Sequence, residues 1–422
     1  MVAGRGKAKR ERRTRLTADR RATAAPAPRP SRMSAIGIEA EFVVVMDGVP
    51  VRPEDVFGSP RRIVRGPLMH RTGRSYHLPT GSAVYFDTGV IELATPMIEI
   101  DRGCAARAGR SLWESILFLR RELDAWQQRN GRDVRLVGFS THYNVSFDVA
   151  DRGADSSRTV ERLALLLTYL LPAPVMLLAA NRQSTGIGVR PRGNRVEITA
   201  DFTPDAALMI ATATLVVGVV REVMNWPSYE LSALDEYNDL PRFRHFTPAP
   251  HSSRKGWVAR YSCFSRNPFT AHVDDEPWDI HSGESISLRE IAGRVTKHFW
   301  PAIRRYADPF TLRLIGNVMA GRAPSLLELA DRPPAYESVG TLCAWEESLF
   351  PEHQLPRSRY ERVLIRAIHG DRLHLDGGDT YTPTGMRGWS HVIFRRERDR
   401  SKHVFSLDYL LRHLDDWEAR SR

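Results

Sequence analysis

The 422-residue sequence predicts an α+β protein in which helices back one face of a curved antiparallel sheet, with a small second domain at the C-terminal end. Two observations carry the prediction. Several segments alternate apolar and polar residues with a period of two, and their polar sets hold carboxylates, a histidine, an arginine and an asparagine. Apolar segments of helical period lie between them, suited to cover the other face. A sheet with one packed and one chemical face is an antiparallel arrangement with a concave, polar side.

The elements follow in chain order. In "AIGIEAEFVVV", Ile36, Ile38 and Phe42 share one face and Glu39 and Glu41 the other, and Asp47-Gly48 then signals a turn. "AVYFDTGVIELATP", Ala83 to Pro96, reads as two short strands around a Thr88-Gly89 turn. Leu112, Ile116, Leu119, Leu123 and Trp126 repeat at helical spacing within a helix over 104–129. "RLVGFSTHYNVSF" alternates again, with Val137, Phe139, Tyr143, Val145 and Phe147 as its apolar face and His142, Asn144 and Ser146 opposite. The run Leu163 to Ala180, broken by Pro172 and Pro174, predicts a buried helix, a turn and a second buried segment rather than a membrane span. "RVEITAD" sets Val196, Ile198 and Ala200 against Arg195, Glu197, Thr199 and Asp201. A long apolar helix to about Met224 follows, with Thr203 as its cap and Pro204 at its first position. "GWSHVIF" predicts a strand with Trp389, His391 and Ile393 on one side, and an amphipathic helix starts near Ser406. Residues 225–350 mix helix, loop and proline without a clear period.

The net charge of +11 is concentrated at one end. Residues 1–32 carry eleven Lys/Arg and two Asp/Glu, so the remaining chain is nearly neutral. Residues 1–33 have almost no large apolar side chains and are expected to be a disordered basic tail, with Met33 an alternative start. Such a tail could touch nucleic acid or an anionic surface, but without interleaved aromatics the solvated reading is adopted. No other feature points to nucleic acid, and none to a membrane. Three scattered cysteines, Cys104, Cys263 and Cys343, form no CxxC pair, which fits a reducing cytoplasm and no structural zinc. The expected organisation is this tail, a catalytic domain over 34–350 and a small domain over 351–422.

Hard divalent cations take oxygen ligands, and Mg²⁺ is held by a few carboxylates together with nucleotide phosphates. Glu39, Glu41, Glu92 and Glu197 can supply oxygens and His142 an imidazole nitrogen, while Arg195 could grip a phosphate through its fork of N–H groups. Neither GxxxxGK[ST] nor GxGxxG occurs, so any nucleotide must be held by the sheet itself. Each residue alone has an ordinary reading: a solvated Glu-x-Glu, a structural histidine, a packed Tyr85, a turn residue at Asp87. Their joint occurrence in one chain order points to a site.

That order resembles the glutamine synthetase-like carboxylate–amine ligase superfamily, and most closely its Pup ligase and depupylase branch. "MSAIGIEAEF" is similar to the branch's opening Gly-Ile-Glu-x-Glu strand, and "AVYFDTGVIELATP" to its Tyr-x-Asp hairpin. "THYNVS", "RVE" and "GWSHVIF" are similar to its His-x-Asn, Arg-x-Glu and Trp-x-His strands. The matches cover 35–98 and 136–224 well and 355–411 moderately. The resemblance implies metal ligation by Glu39, Tyr85 and Glu92, with Asp87 as proton acceptor and ATP contacts from Thr95 and Trp389. By analogy with the wider superfamily, His142 and Glu197 would complete the metal and phosphate shell. It implies a glutamine synthetase-like fold, ATP and Mg²⁺ as cofactors, and a carboxylate and an amine as substrates, a small protein modifier and protein lysines among the candidates. The activity expected is C–N bond formation through an acyl phosphate. Isopeptide hydrolysis by the same site, or nucleotide binding without catalysis, are the alternatives. Three features depart from the pattern. The hairpin is one residue shorter between Tyr85 and Glu92, Glu197 stands where Pup ligases carry histidine, and Thr199 stands where glutamine synthetases carry a second arginine.

Overall fold

The computed structural model describes residues 34–149, 157–252, 255–274, 277–328, 338–339, 355–375 and 378–420. The expected disordered tail and Cys343 lie outside them. Strand β1 (Ala35–Met46) is the spine of the fold. Ile36, Ile38, Ala40, Phe42 and Val44 are buried, and the alternate residues face a cavity. At Asp47-Gly48 both φ angles are positive, 49° and 81°, and the chain reverses into β2 (Val49–Val51) and a short helix α1 (Pro53–Val56). A meander follows: β3 (Met69–Thr72), β4 (Ser75–His77), β5 (Ala83–Asp87) and β6 (Val90–Ala94), with β7 (Ile98–Glu99) returning to β1.

Helix α2 (Cys104–Asn130) leads to β8 (Val134–Ser146), α3 (Val160–Leu170) and α4 (Pro172–Ala179). Next come β9 (Ile187–Pro191), β10 (Arg195–Asp201) and helix α5 (Ala206–Val223). The region without a clear sequence period contains β11 (Ala249–Pro250), β12 (Trp257–Ala259), the hairpin β13 (Pro277–Asp279) and β14 (Ser285–Ser287), and helices α6 (Leu288–His298), α7 (Trp300–Tyr306) and α8 (Pro309–Met319). After β15 (Ser338–Val339) come α9 (Arg359–His369), β16 (Leu373–His374), β17 (Thr380–Arg387), β18 (His391–Arg396), β19 (Lys402–Ser406), α10 (Leu407–Arg412) and α11 (Leu414–Arg420).

The main sheet runs β11-β12-β9-β10-β8-β1-β6-β5-β4-β3, with every described pairing antiparallel. Helices α2 to α5 cover one face and leave the other open. Helix α5 is apolar on all sides because it is a core helix. It is long and apolar enough to cross a membrane, but 83% of it is buried inside the protein. Ser34–Arg422 forms one compact unit. Within it a second hydrophobic core joins Val363, Leu364, Val392, Phe394, Leu410 and Trp417, and Met69 of β3 reaches into it. This core supports the four-stranded sheet β16-β17-β18-β19.

Three local expectations are corrected. Val137 and Phe139 do not share the apolar face of β8. Phe139 is an extra residue in a β-bulge between Ser140, opposite Glu41, and Gly138, opposite Phe42. The bulge reverses the alternation, so Leu136 and Gly138 face the core on one side of it, Thr141, Tyr143 and Val145 on the other, and Phe139 is 55% exposed. The cap of α5 is Asp205, whose side chain accepts from the Leu208 amide, and Thr203-Pro204 precedes it. Trp389 lies in the turn between β17 and β18, and the strand begins at His391 with Val392 and Phe394 inward.

Candidate active site

Antiparallel pairing places directly opposed residues on the same face. Tyr85 is opposite Glu92, Glu92 opposite Glu41, Glu41 opposite Ser140, and Ser140 opposite Asp201. The adjacent rung carries Glu39, His142 and Thr199, and the next Gly37, Asn144 and Glu197. Five strands thereby aim polar side chains into one cavity of about 420 Å³, within the range of small-ligand sites. All ten residues singled out from the sequence line it: Glu39, Glu41, Tyr85, Asp87, Glu92, Thr95, His142, Arg195, Glu197 and Trp389.

Glu39, Glu92 and His142 form the tightest group, with one donor atom from each within 4.8 Å of the others. His142 Nδ1 lies 3.5 Å from Glu39 Oε2 and 3.9 Å from Glu197 Oε1, and its Nε2 lies 3.7 Å from Glu41 Oε1. Ser140 Oγ donates to Glu41 Oε2 at 2.6 Å. The Tyr85 hydroxyl donates to Glu92 Oε1. Burial opposes ionisation here, and the group resolves the conflict unevenly. Burial would raise Glu39, but the hydrogen bond and charge of His142, with Arg195, hold it well below the usual carboxylate range. Glu92 is pushed up to about 8 by burial and by the Glu39 charge, against the hydrogen bond from Tyr85. Burial would lower His142, but Glu39, Glu197 and Glu41 raise it. Tyr85 is raised by burial and by the two glutamates beside it. Half-buried Glu39 and buried Glu92 crowd two carboxylates on neighbouring strands, one of them holding its proton into the neutral range, and a cation between them would relieve that crowding. An oxygen-rich group with one imidazole, acidic and compact, fits a hard divalent cation.

Glu41 and Glu197 stand beside this group rather than in it. Glu197 is buried and paired with Arg190 and, at 2.9 Å, with Arg192 Nε. Arg195 Nε donates to Asn144 Oδ1 at 2.7 Å, and among the described residues its other N–H groups make no hydrogen bond, so they can meet a ligand. Thr95 Oγ1 accepts from the Ile38 amide at 3.0 Å, which leaves its own O–H free to donate. Asp87 ends β5 at the exposed rim, where Thr88 Oγ1 donates to its Oδ1 at 2.9 Å. Thr88 and Gly89 have φ of 48° and 98°, the positive pair that a two-residue type I′ turn requires, and this reversal holds Asp87 and Tyr85 across from Glu92. Trp389 forms the far wall, edge-to-face with His77 at 4.8 Å.

Three arginines of the cavity escaped the sequence reading: Arg71, Arg190 and Arg192. Arg190 and Arg192 sit in "GVRPRGNRVE", where a run of arginines directly before an Arg-x-Glu strand was the available signal. Arg71 belongs to a four-residue strand with no polar alternation to mark it.

No family model and no curated protein matches the sequence. Among solved structures, the chain is similar to the Pup ligase PafA in complex with ADP over 87% of its length and 94% of that chain, at 11% identity and a TM-score of 0.45. It is likewise similar to PafA in the complex between prokaryotic ubiquitin-like protein Pup and its ligase, over 92% of this chain and 95% of that one, at 11% identity and a TM-score of 0.47.

Proposed function

We propose that the protein is an ATP- and Mg²⁺-dependent carboxylate–amine ligase that activates a carboxylate as an acyl phosphate with release of ADP and joins it to an amine with release of phosphate. One observation carries the reading: the acidic group Glu39, Glu92 and His142 shares a single cavity with several arginines, one of them, Arg195, with donors to spare. Clustered acids beside arginines suited to phosphate are what a metal–nucleotide site requires. Glu39 and Glu92 would hold the divalent cation, with Tyr85 and His142 at its edge and Glu41 and Glu197 behind them. When bound, Mg²⁺ supplies charge neutralisation for phosphoryl transfer. Arg195 would bind a phosphate oxygen, Thr95 would donate to the nucleotide, and Trp389 would close the pocket over it. Asp87 sits at the rim, where a second substrate would arrive, and its carboxylate would take the proton of the attacking amine.

The carboxylate substrate is proposed to be a glutamate side chain, carried free or on a small protein modifier, and the amine a lysine. Asp87 could instead activate water, and the site would then cleave the amide. Incubation with ATP, Mg²⁺ and candidate carboxylates and amines, followed by mass spectrometry, tests both. Carboxylate-dependent ADP release with a new amide is the expected result. Amide cleavage without net ATP turnover would replace the ligase with a hydrolase, and failure to bind Mg²⁺–ATP would remove the reading.

A further inference from the structure

Arg71 is chemically unlike the other arginines of the cavity. Arg190 and Arg192 are paired with Glu197, and Arg195 is tied to Asn144. Arg71 makes no ion pair with any described residue. Its Nη1 donates to Ser75 Oγ at 3.1 Å, and its buried Nε has no hydrogen-bond partner. The guanidinium lies 4.6 Å over the Trp389 ring and 5.9 Å from that of Tyr85, so aromatic faces hold its plane. Burial pulls its pKa down, against the nearby charges of Tyr85, Glu39 and Glu92. A desolvated cation without an ion-pair partner is costly, and a planar fork held against aromatic rings is pre-organised for a bidentate anion.

We infer that Arg71 binds a phosphate of the ligand in this cavity, supplying a clamp from the β3 side opposite Arg195. The assignment rests on the nucleotide reading above. Glu39, Glu92 and Arg71 line one space, so an anion on Arg71 shares it with a cation at the carboxylates. Trp389 then serves twice, walling the pocket and orienting the guanidinium.

The test uses the full chain with Mg²⁺ and four probes by calorimetry: ATP, pyrophosphate, adenosine and free glutamate. Arg71→Met should weaken ATP and pyrophosphate by about 10- to 100-fold, the range for losing a charged hydrogen-bonding partner, and leave adenosine within about twofold. Arg71→Lys should fall between, keeping charge but losing the fork. Without ligand, Arg71→Met should melt at the wild-type temperature or above it, because it removes a desolvated cation that no ion pair holds. Unchanged pyrophosphate binding, or a loss confined to glutamate, would overturn the phosphate assignment. So would a lower melting temperature with adenosine weakened equally, which marks a merely structural role. If wild type binds pyrophosphate but not ATP, the nucleotide reading fails and Arg71 is judged on pyrophosphate. Wild type that binds none of the four overturns both.

Discussion

At the scale of single residues, Glu39 and Glu92 divide one conflict between them. Burial opposes both charges; the hydrogen bond and charge of His142, with Arg195, keep Glu39 ionised, and burial with the Glu39 charge raises Glu92 to about 8 from an ordinary value of 4.5. Between those values the folded protein holds a proton that the unfolded chain has released, so metal-free stability falls as pH rises through that window. The raised His142 acts in the same direction above its ordinary 6.5. Thermal unfolding without metal should therefore occur at lower temperature at pH 8.5 than at pH 6, and Glu92→Gln should flatten the dependence. Mg²⁺ with ATP should reverse it, because a cation favours the ionised carboxylate. Because His77 and His251, both held below their ordinary value, pull the other way near pH 6, the deciding comparison is the variant: an unchanged pH dependence in Glu92→Gln would show that the acidic group is not strained. Asp87 and Glu39 separate chemistry from binding. Asp87→Asn should bind Mg²⁺–ATP within a few-fold of wild type and turn over about 10²- to 10⁴-fold more slowly, the usual contribution of a general base. Glu39→Gln should instead weaken Mg²⁺–ATP binding itself. Wild-type turnover in Asp87→Asn would reduce Asp87 to a turn residue.

At the scale of elements, period-two alternation explains what could be read in advance. Glu39, Glu41, Glu92, His142 and Glu197 declare their face through their immediate neighbours, since a strand's alternation is local. The bulge at Phe139 breaks that logic. Its position follows from pairing with β1, almost a hundred residues away in sequence, and nothing local marks it. Arg71 escaped for a related reason: β3 is four residues long, has its own register shift, and meets the cavity only once the whole meander is assembled. Arg190 and Arg192 flank a Pro191 and Gly193 turn and resemble a solvated corner until Glu197 is brought against them. The bulge also has a packing condition. A Cβ on Gly138 would meet the Phe202 ring at 2.1 Å, and Phe202 is itself wedged against Phe42 at 5.2 Å and Trp113 at 6.1 Å. Gly138→Ala should cost about 1–3 kcal/mol in urea unfolding, the range for overpacking a filled core. It should also shift Ser140 and His142, which follow within four residues. Wild-type stability in this variant would mean that the bulge has room to adjust.

At the scale of the molecule, the cavity has walls from two hydrophobic cores. The acidic strands belong to the first, and Trp389 packs on the second. A buried ion pair joins them. Arg110 of α2, 2% exposed, donates through Nη2 to both Glu361 oxygens at 2.8 and 3.0 Å, and Glu361 of α9 is fully buried. Glu361 also accepts from the Ser358 amide at 2.7 Å and closes the capping box that starts α9. Removing Arg110 leaves the buried Glu361 charge with Arg357, 3.6 Å away, as its remaining ion-pair partner, so Arg110→Ala should cost about 3 kcal/mol, the low end for breaking a buried pair. The loss should fall on the seam that positions Trp389. Nucleotide affinity should then drop although neither Arg110 nor Glu361 lines the cavity. The double replacement Arg110→Met with Glu361→Leu removes both charges and keeps the volume, and buried pairs exchanged in this way are often neutral or stabilising. It loses the capping carboxylate, a penalty of about 1 kcal/mol. The double variant should therefore be more stable than Arg110→Ala in urea unfolding followed by tryptophan fluorescence, and should recover most of the nucleotide affinity. If Arg110→Ala keeps full affinity while losing stability, the pair supports the fold without placing the Trp389 wall.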